Sequence, residues 1–434
     1  MQDAAPRLRS LVEQLLGAPL PLRVRAWDGS EAGPPSAPAL VVRNRRAVRR
    51  LLWKPGELGL ARAWVSGDLG VEGDLFTALD LISGLLWDRA EDARGLGAAL
   101  RDPEARAAVR GLVRMSGLPL PPAPPAEEVR RHRHLHTRRT DRSAISHHYD
   151  VGNDFYELVL GPSMVYSCAY WEEGSTLEEA QRDKLGLVAR KLALKPGRRL
   201  LDVGCGWGSM AVHAAREHGA NVVGVTLSQE QAAYARKRVA DEGLTDRVEI
   251  RVQDYRDVAD GPYDAISSIG MAEHVGAERY LEYAEVLSDL LEPGGRLLNH
   301  QIARRPQRDE SSYSVDEFID AYVFPDGELA PVGTTVTQLE RAGFEVRDVE
   351  ALREHYGLTL RRWVANLENG WSRAVRLTGV GRARVWRLYM AASAVAFERN
   401  QIGVNQILAV KTPGGTGTSG AGATGMPLRA RTWN

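Results

Sequence analysis

Arg199-Leu200-Leu201-Asp202-Val203-Gly204-Cys205-Gly206-Trp207-Gly208-Ser209 decides the fold. The run from Arg199 to Val203 is short, apolar and closed by glycines, which reads as a buried strand. Beyond Gly208 the period changes, with Met210, Ala211, Ala214 and Ala215 spaced three to four apart as on one face of a helix. Strand, tight turn and helix follow in that order. A helix that starts on such a turn offers unpaired backbone N–H groups to a ligand. In Asp-x-Gly-x-Gly-x-Gly the third glycine comes earlier than in the dinucleotide fingerprint. The spacing suits a ligand carrying a carboxylate, an amine and a nucleoside but no phosphate, and S-adenosylmethionine has those groups.

Bulk properties bound the remaining possibilities. The 434 residues allow two or three domains and a large core. The net charge of +0 gives no global reason to expect nucleic acid. Two cysteines, Cys168 and Cys205, lie in different motifs, so no disulfide framework is expected and a reducing, cytoplasmic setting is. The opening residues MQDAAPRLRS carry no signal-type apolar core, and no run of 18 apolar residues suggests a membrane span. No metal site is read from the sequence.

Going outward from the glycine turn, alternating elements extend over residues 147–411. A helix over Leu177–Leu194 has Thr176 and Glu179 as its capping box. Strands are expected at Arg199–Val203, Asn221–Val225, Val248–Val252, Tyr263–Ile269, Arg296–Ile302, Phe344–Leu352 and Gln406–Lys411. Residues 305–340 and 353–400 read as helical insertions. The fold class is therefore α/β, a doubly wound, Rossmann-like parallel sheet of seven strands, with ligands at the carboxyl ends of the strands. Thr226 and Gln231 follow the second strand, Asp254 and Tyr255 the third, Glu273 the fourth, and His300 lies near the end of the fifth.

Residues 1–117 form a separate, smaller α+β domain, with an amphipathic helix over Leu8–Leu16 and strands near Leu22–Trp27 and Leu40–Val42. Its expected role is packing or lipid contact. Residues 118–146 are a linker, first Pro-rich (LPLPPAPPAEE) and then basic (RRHRHLHTRRTDR). The basic run reads either as a solvated face or as a patch for anionic lipid headgroups; it has no interleaved aromatics to stack bases, which argues against nucleic acid. In the stretch 147–171, Tyr149, Phe155, Tyr156, Tyr166, Tyr170 and Trp171 alternate with polar Asn153, Asp154, Ser167 and Cys168, as in a pocket lining. Residues 412–434 are a Gly-rich flexible tail.

HHYDVGNDFY, MVYSCAYW, LDVGCGWGSM, GVTLSQEQ, MAEHVG, LNHQI and FERNQI, in that order, resemble the cyclopropane-fatty-acyl-phospholipid synthase family over about residues 145–411. The family includes mycolic acid cyclopropane synthases and methylene-fatty-acyl-phospholipid synthases that make tuberculostearic precursors. The resemblance implies S-adenosylmethionine-dependent methyl transfer to a cis double bond of an unsaturated phospholipid acyl chain. A carbocation forms, and proton loss gives a cyclopropane or, after a hydride shift, a methylene branch. It further implies a bicarbonate ion as the base, held by Cys168, Glu273, His300, the Ile302 backbone and Tyr389. Tyr166 and Ser167 match the family's contacts to the cofactor carboxylate. Gly204, Gly206 and Gly208 lie under its methionine part, and Thr226 and Gln231 take the ribose. Asp254 and Tyr255 edge the adenine, while Asp202 braces the glycine turn. A desolvated cation gains about 2 kcal/mol from each aromatic face it meets, and Tyr166, Tyr170, Trp363 and Tyr389 are the candidate faces. Peripheral attachment to the inner membrane surface is expected, and homo-oligomer formation is left open. Two further readings stand at this point: a methyltransferase for a small soluble amine or sterol, and a lipid-binding module without catalysis.

Overall fold

The computed structural model describes residues 3–87, 103–117, 120–129, 151–310, 313–325, 327–412 and 426. The basic run 130–142, the first part of HHYDVGNDFY and almost all of the Gly-rich tail lie outside them. In chain order the elements begin with α1 (Ala4–Leu16), β1 (Arg23–Arg25), β2 (Glu31–Ala32), β3 (Ala39–Val42), α2 (Arg45–Trp53), α3 (Glu57–Val65), β4 (Leu69–Glu72), α4 (Leu75–Trp87) and α5 (Pro103–Ser116). There follow α6 (Asn153–Leu160), α7 (Leu177–Lys191), β5 (Arg199–Val203), α8 (Ser209–His218), β6 (Asn221–Thr226), α9 (Gln229–Asp241), β7 (Val248–Val252) and β8 (Tyr263–Ile269). The last are α10 (Tyr280–Asp289), β9 (Leu291–Arg304), α11 (Glu317–Tyr322), α12 (Val332–Arg341), β10 (Phe344–Ala351), α13 (Arg353–Asn369), α14 (Trp371–Thr378), α15 (Val380–Glu398) and β11 (Ile402–Lys411).

The chain divides into two compact units. The first comprises residues 1–131 together with 316–325 and 371–395, so two segments from within the interval 147–411 belong to it. Its sheet has the order β2-β1-β3-β4. The apolar stripe of α1, with Ala5 and Leu8, packs with Leu22, Val24, Val42, Val48 and Leu112. The Pro-rich stretch is tied down here. Arg50 donates to the Ala123 carbonyl at 2.8 Å, and Arg62 holds both Glu128 oxygens at 2.7 and 2.5 Å.

The second unit is built on a seven-stranded sheet of order β10-β11-β9-β8-β5-β6-β7. Successive side chains on a strand face opposite sides. Leu200, Leu298 and Leu408 therefore pack with Val188, Ala211 and Ala235 on one face, while Leu201, Leu297 and Ile407 pack with Tyr283, Leu287 and Leu339 on the other. Thr176 and Glu179 close the expected capping box of α7.

The α/β class holds, but the sheet is mixed, not wholly parallel. β11 runs antiparallel to both β9 and β10. After Ala351 the chain passes through helices and returns at Ile402, with Ala351 paired to Asn405. No crossover spans the sheet, so β11 must run backward. β9 is also longer than expected. Pro293-Gly294-Gly295 forms an irregularity inside the strand, because Tyr263 pairs with Leu291 and Ala265 with Arg296.

Candidate active site

The cleft opens where the carboxyl ends of β5, β6, β7 and β8 meet the segment Met164–Ser167. Its free volume is about 1240 Å³, the solvent-filled mouth included. Backbone N–H groups of Gly204 and Cys205 both donate to the Val225 carbonyl at 3.0 Å, fixing the glycine turn to β6. Gly204 is left-handed at φ 74°, and a Cβ there would stand 3.3 Å from Met271.

Nine of the ten expected cofactor residues line this one cleft: Tyr166, Ser167, Asp202, Gly204, Gly206, Thr226, Gln231, Asp254 and Tyr255. Gly208 does not. It caps α8 at φ 79°, where a Cβ would lie 3.0 Å from that of Ala235, so its smallness lets α8 and α9 approach. Thr226 donates to Gln231 Oε1 at 3.0 Å, and the pair is buried. Both Asp254 oxygens are held by Arg256, at 2.9 and 2.7 Å. Asp202 is anchored to β8 by its side chain. Its Oδ1 accepts from Ser267 at 2.7 Å, while Oδ2 is buried and unpartnered. Burial raises this carboxyl to about 6, against the opposing pull of Ser267 and Lys184.

One wall is aromatic. Tyr166 packs at 5.7 Å from Tyr156 and 5.4 Å from Trp363, and Tyr156 lies 4.7 Å from Trp207. Tyr170 is directed elsewhere. It stacks on His355 at 4.9 Å and donates to Glu350, so it offers no face to the cleft. Tyr389 belongs to the first unit, where it meets Phe324 and Trp386.

A second polar cluster involves residues that do not line the cleft. Glu273 sits on a one-turn 3-10 helix just beyond β8, and its Oε1 accepts the Ile302 N–H at 2.8 Å. That N–H therefore orients the carboxylate instead of standing open for a ligand. Glu273 Oε2 is buried without a partner, and burial lifts the carboxyl to about 7 despite the stabilising backbone N–H groups. His300 shares its sheet face with Ile302, two residues away. It is 1% exposed, and neither ring nitrogen has a partner. Burial, with Lys184 and Lys191 adding repulsion, brings it down to about 3, so the ring is neutral at physiological pH. Gln406 pairs directly with His300 across β9 and β11, and both its amide atoms are also orphaned. Each such group costs about 1–3 kcal/mol when left unmet. Cys168 is fully buried and its thiol contacts the Leu352 carbonyl at 3.5 Å. Leu352 N–H in turn donates to Val404, the partner of Ile302 in the sheet. Burial pushes the Cys168 thiol up, which keeps it protonated and unsuited to nucleophilic attack.

Three residues escaped the sequence reading. His274 lines the cleft beside Glu273, and burial lowers it to about 4. Gln406 lies inside the apolar run of β11. Lys184 lies on the buried stripe of α7, in register with Leu177, Ala180 and Val188, and it reaches the cleft. A lysine on an apolar stripe is a legible signal, because a buried ammonium needs a reason.

The profile of the mycolic acid cyclopropane synthetase family matches residues 136–407. A "Probable fatty acid methyltransferase Rv3720" from Mycobacterium tuberculosis is 47% identical over 405 residues, 90% of this chain and 91% of that protein. The cyclopropane-fatty-acyl-phospholipid synthase of Escherichia coli K12 is 39% identical over 261 residues, 60% of this chain and 66% of that protein. Among solved structures, the mycolic acid cyclopropane synthase CmaA1 complexed with SAH and CTAB superposes with a TM-score of 0.59. It is 34% identical, over 62% of this chain and 98% of that one.

Proposed function

Because the chain belongs to the mycolic acid cyclopropane synthetase family, and is thereby an S-adenosylmethionine-dependent methyltransferase of the cyclopropane-synthase kind, we propose that it transfers a methyl group to the cis double bond of an unsaturated phospholipid acyl chain. The product is a cyclopropane or a methylene-branched chain of the tuberculostearic-precursor type. The observation that carries this reading is the set of orphaned buried polar atoms on Glu273, His300 and Gln406, on residues next to a cleft already fit for the cofactor. A methyltransferase for a soluble amine needs a base or cation clamp in the cleft, but not this second, buried cluster.

S-adenosylmethionine, when bound, supplies a methyl group on a positively charged sulfur, so no protein nucleophile is required. Held there, it would deliver that methyl carbon to the alkene and leave as S-adenosylhomocysteine, with positive charge left on the acyl chain. Loss of a proton then closes the ring, or gives the methylene after a hydride shift. Alignment of the two reactants can be worth about 7–11 kcal/mol. Tyr166 and Ser167 would take the cofactor carboxylate, Thr226 and Gln231 the ribose, and Asp254 and Tyr255 the adenine. Tyr166, backed by Trp363, presents a π face to the developing charge.

Bicarbonate, when bound, would supply the base. The donor set fits it. Glu273 Oε2 can accept its O–H, a neutral His300 can donate to an oxygen, and Gln406 offers one donor and one acceptor. The Cys168 thiol is assigned to the same ion on the family's pattern. The lipid substrate also implies attachment to the membrane surface. No helix among the described residues is long and apolar enough to cross a membrane. Release of S-adenosylhomocysteine tests the reading. Vesicles of dioleoyl lipid should support it and vesicles of distearoyl lipid should not; equal release with both would refute the alkene as acceptor.

A further inference from the structure

Lys184 is 1% exposed and is not used by any step above. Its Nζ donates to Ser167 Oγ at 3.0 Å and forms no ion pair among the described residues. A buried ammonium without a counter-ion loses hydration that a neutral hydroxyl does not return. Asp202 lies in the same cleft with the opposite charge, and its Oδ2 is equally unpartnered. The two charges are not joined to each other. One cleft thus holds a separated plus and minus, which complement a ligand carrying a separated minus and plus.

Resting on the reading that this cleft takes S-adenosylmethionine, we propose that Lys184 is the counter-ion of the cofactor's methionine carboxylate, facing Asp202 across its α-ammonium. The Ser167 hydroxyl links them. Because Ser167 Oγ accepts from Lys184, its own proton is turned away from the lysine and toward the carboxylate. Lys184 therefore acts twice, by charge and by orienting a donor. The lowered position of its ammonium, about 8, accords with a group that gains its partner only on binding.

Titration calorimetry with two ligands tests this. S-adenosylhomocysteine has the amino-acid end; 5′-methylthioadenosine has the same nucleoside thioether without it. In Lys184→Met, S-adenosylhomocysteine should bind at least 30-fold more weakly, while methylthioadenosine changes by less than threefold. Lys184→Arg should recover part of the loss. Parallel weakening of both ligands, or no change in either, would overturn the proposal, the first because it marks a merely structural lysine. Retained methylthioadenosine binding also reports that the variant is folded; should Lys184→Met fail to fold, the same comparison in Lys184→Gln decides. Wild-type protein that binds neither ligand would overturn the methyl-donor reading itself, and this proposal with it.

Discussion

Glu273 carries the residue-scale argument, since its carboxyl is both oriented by Ile302 and short of a partner. Glu273→Gln keeps the shape and removes the charge. Turnover should fall at least 100-fold, the usual span for a lost acid–base group. The affinity for S-adenosylhomocysteine should stay within threefold, because Glu273 does not line the cleft; loss of that affinity would move it to the cofactor site. With the carboxyl raised to about 7, turnover should also decline as pH falls below 7, where Glu273 takes up its proton. The same shift predicts a stability effect of definite sign. A carboxyl raised from 4.5 to about 7 on folding favours the folded state below 4.5 and loses that advantage as pH rises through 7. Glu273→Gln should therefore match wild-type thermal stability near pH 4 and exceed it near pH 8. Melting curves at the two pH values check this, and a gap that shrinks with rising pH would contradict it.

At the scale of elements, the strand–turn–helix around Gly204–Gly208 was legible because glycine spacing and the change of hydrophobic period coincide there. The capping box of α7 and all seven strands of the large sheet were legible for the same local reasons. Two things were not. The direction of β11 depends on where a long helical excursion returns, which no local pattern encodes. The orphaned Gln406 is read only once its register with His300 is known, because a lone polar residue in an apolar strand has many explanations. Gly208 shows how a motif residue can serve packing, not ligand contact. Gly208→Ala places a Cβ at φ 79° and 3.0 Å from Ala235. The left-handed backbone alone costs about 1–2 kcal/mol in a non-glycine residue. Chemical denaturation should show at least that loss; an unchanged midpoint would mean the turn relaxes freely. Gln406→Leu is the complementary test. It removes two unmet buried groups, so the protein should gain stability while losing bicarbonate-dependent turnover, and unchanged turnover would make Gln406 structural only.

At the scale of the whole molecule, the proposed attachment to a membrane surface falls on the basic run, and no helix among the described residues is long and apolar enough to cross a membrane. The basic run 130–142 carries six Arg and three His. Each such arginine near an anionic surface is worth about 1 kcal/mol and is screened by salt. Sedimentation with anionic vesicles should therefore recover most of the protein at 50 mM salt and much less at 500 mM; binding indifferent to salt would assign attachment to apolar contacts instead. The central claim is the transfer of a methyl carbon to an acyl double bond. Incubating the protein with S-adenosylmethionine labelled with 13C in its methyl group and with oleoyl phospholipid, followed by NMR of the extracted lipid, tests it most directly. The label should appear at the former double bond, as a ring CH2 of a cyclopropane or as an exocyclic methylene. A lipid that keeps its olefinic signals and carries no label, while the cofactor is bound, would contradict it.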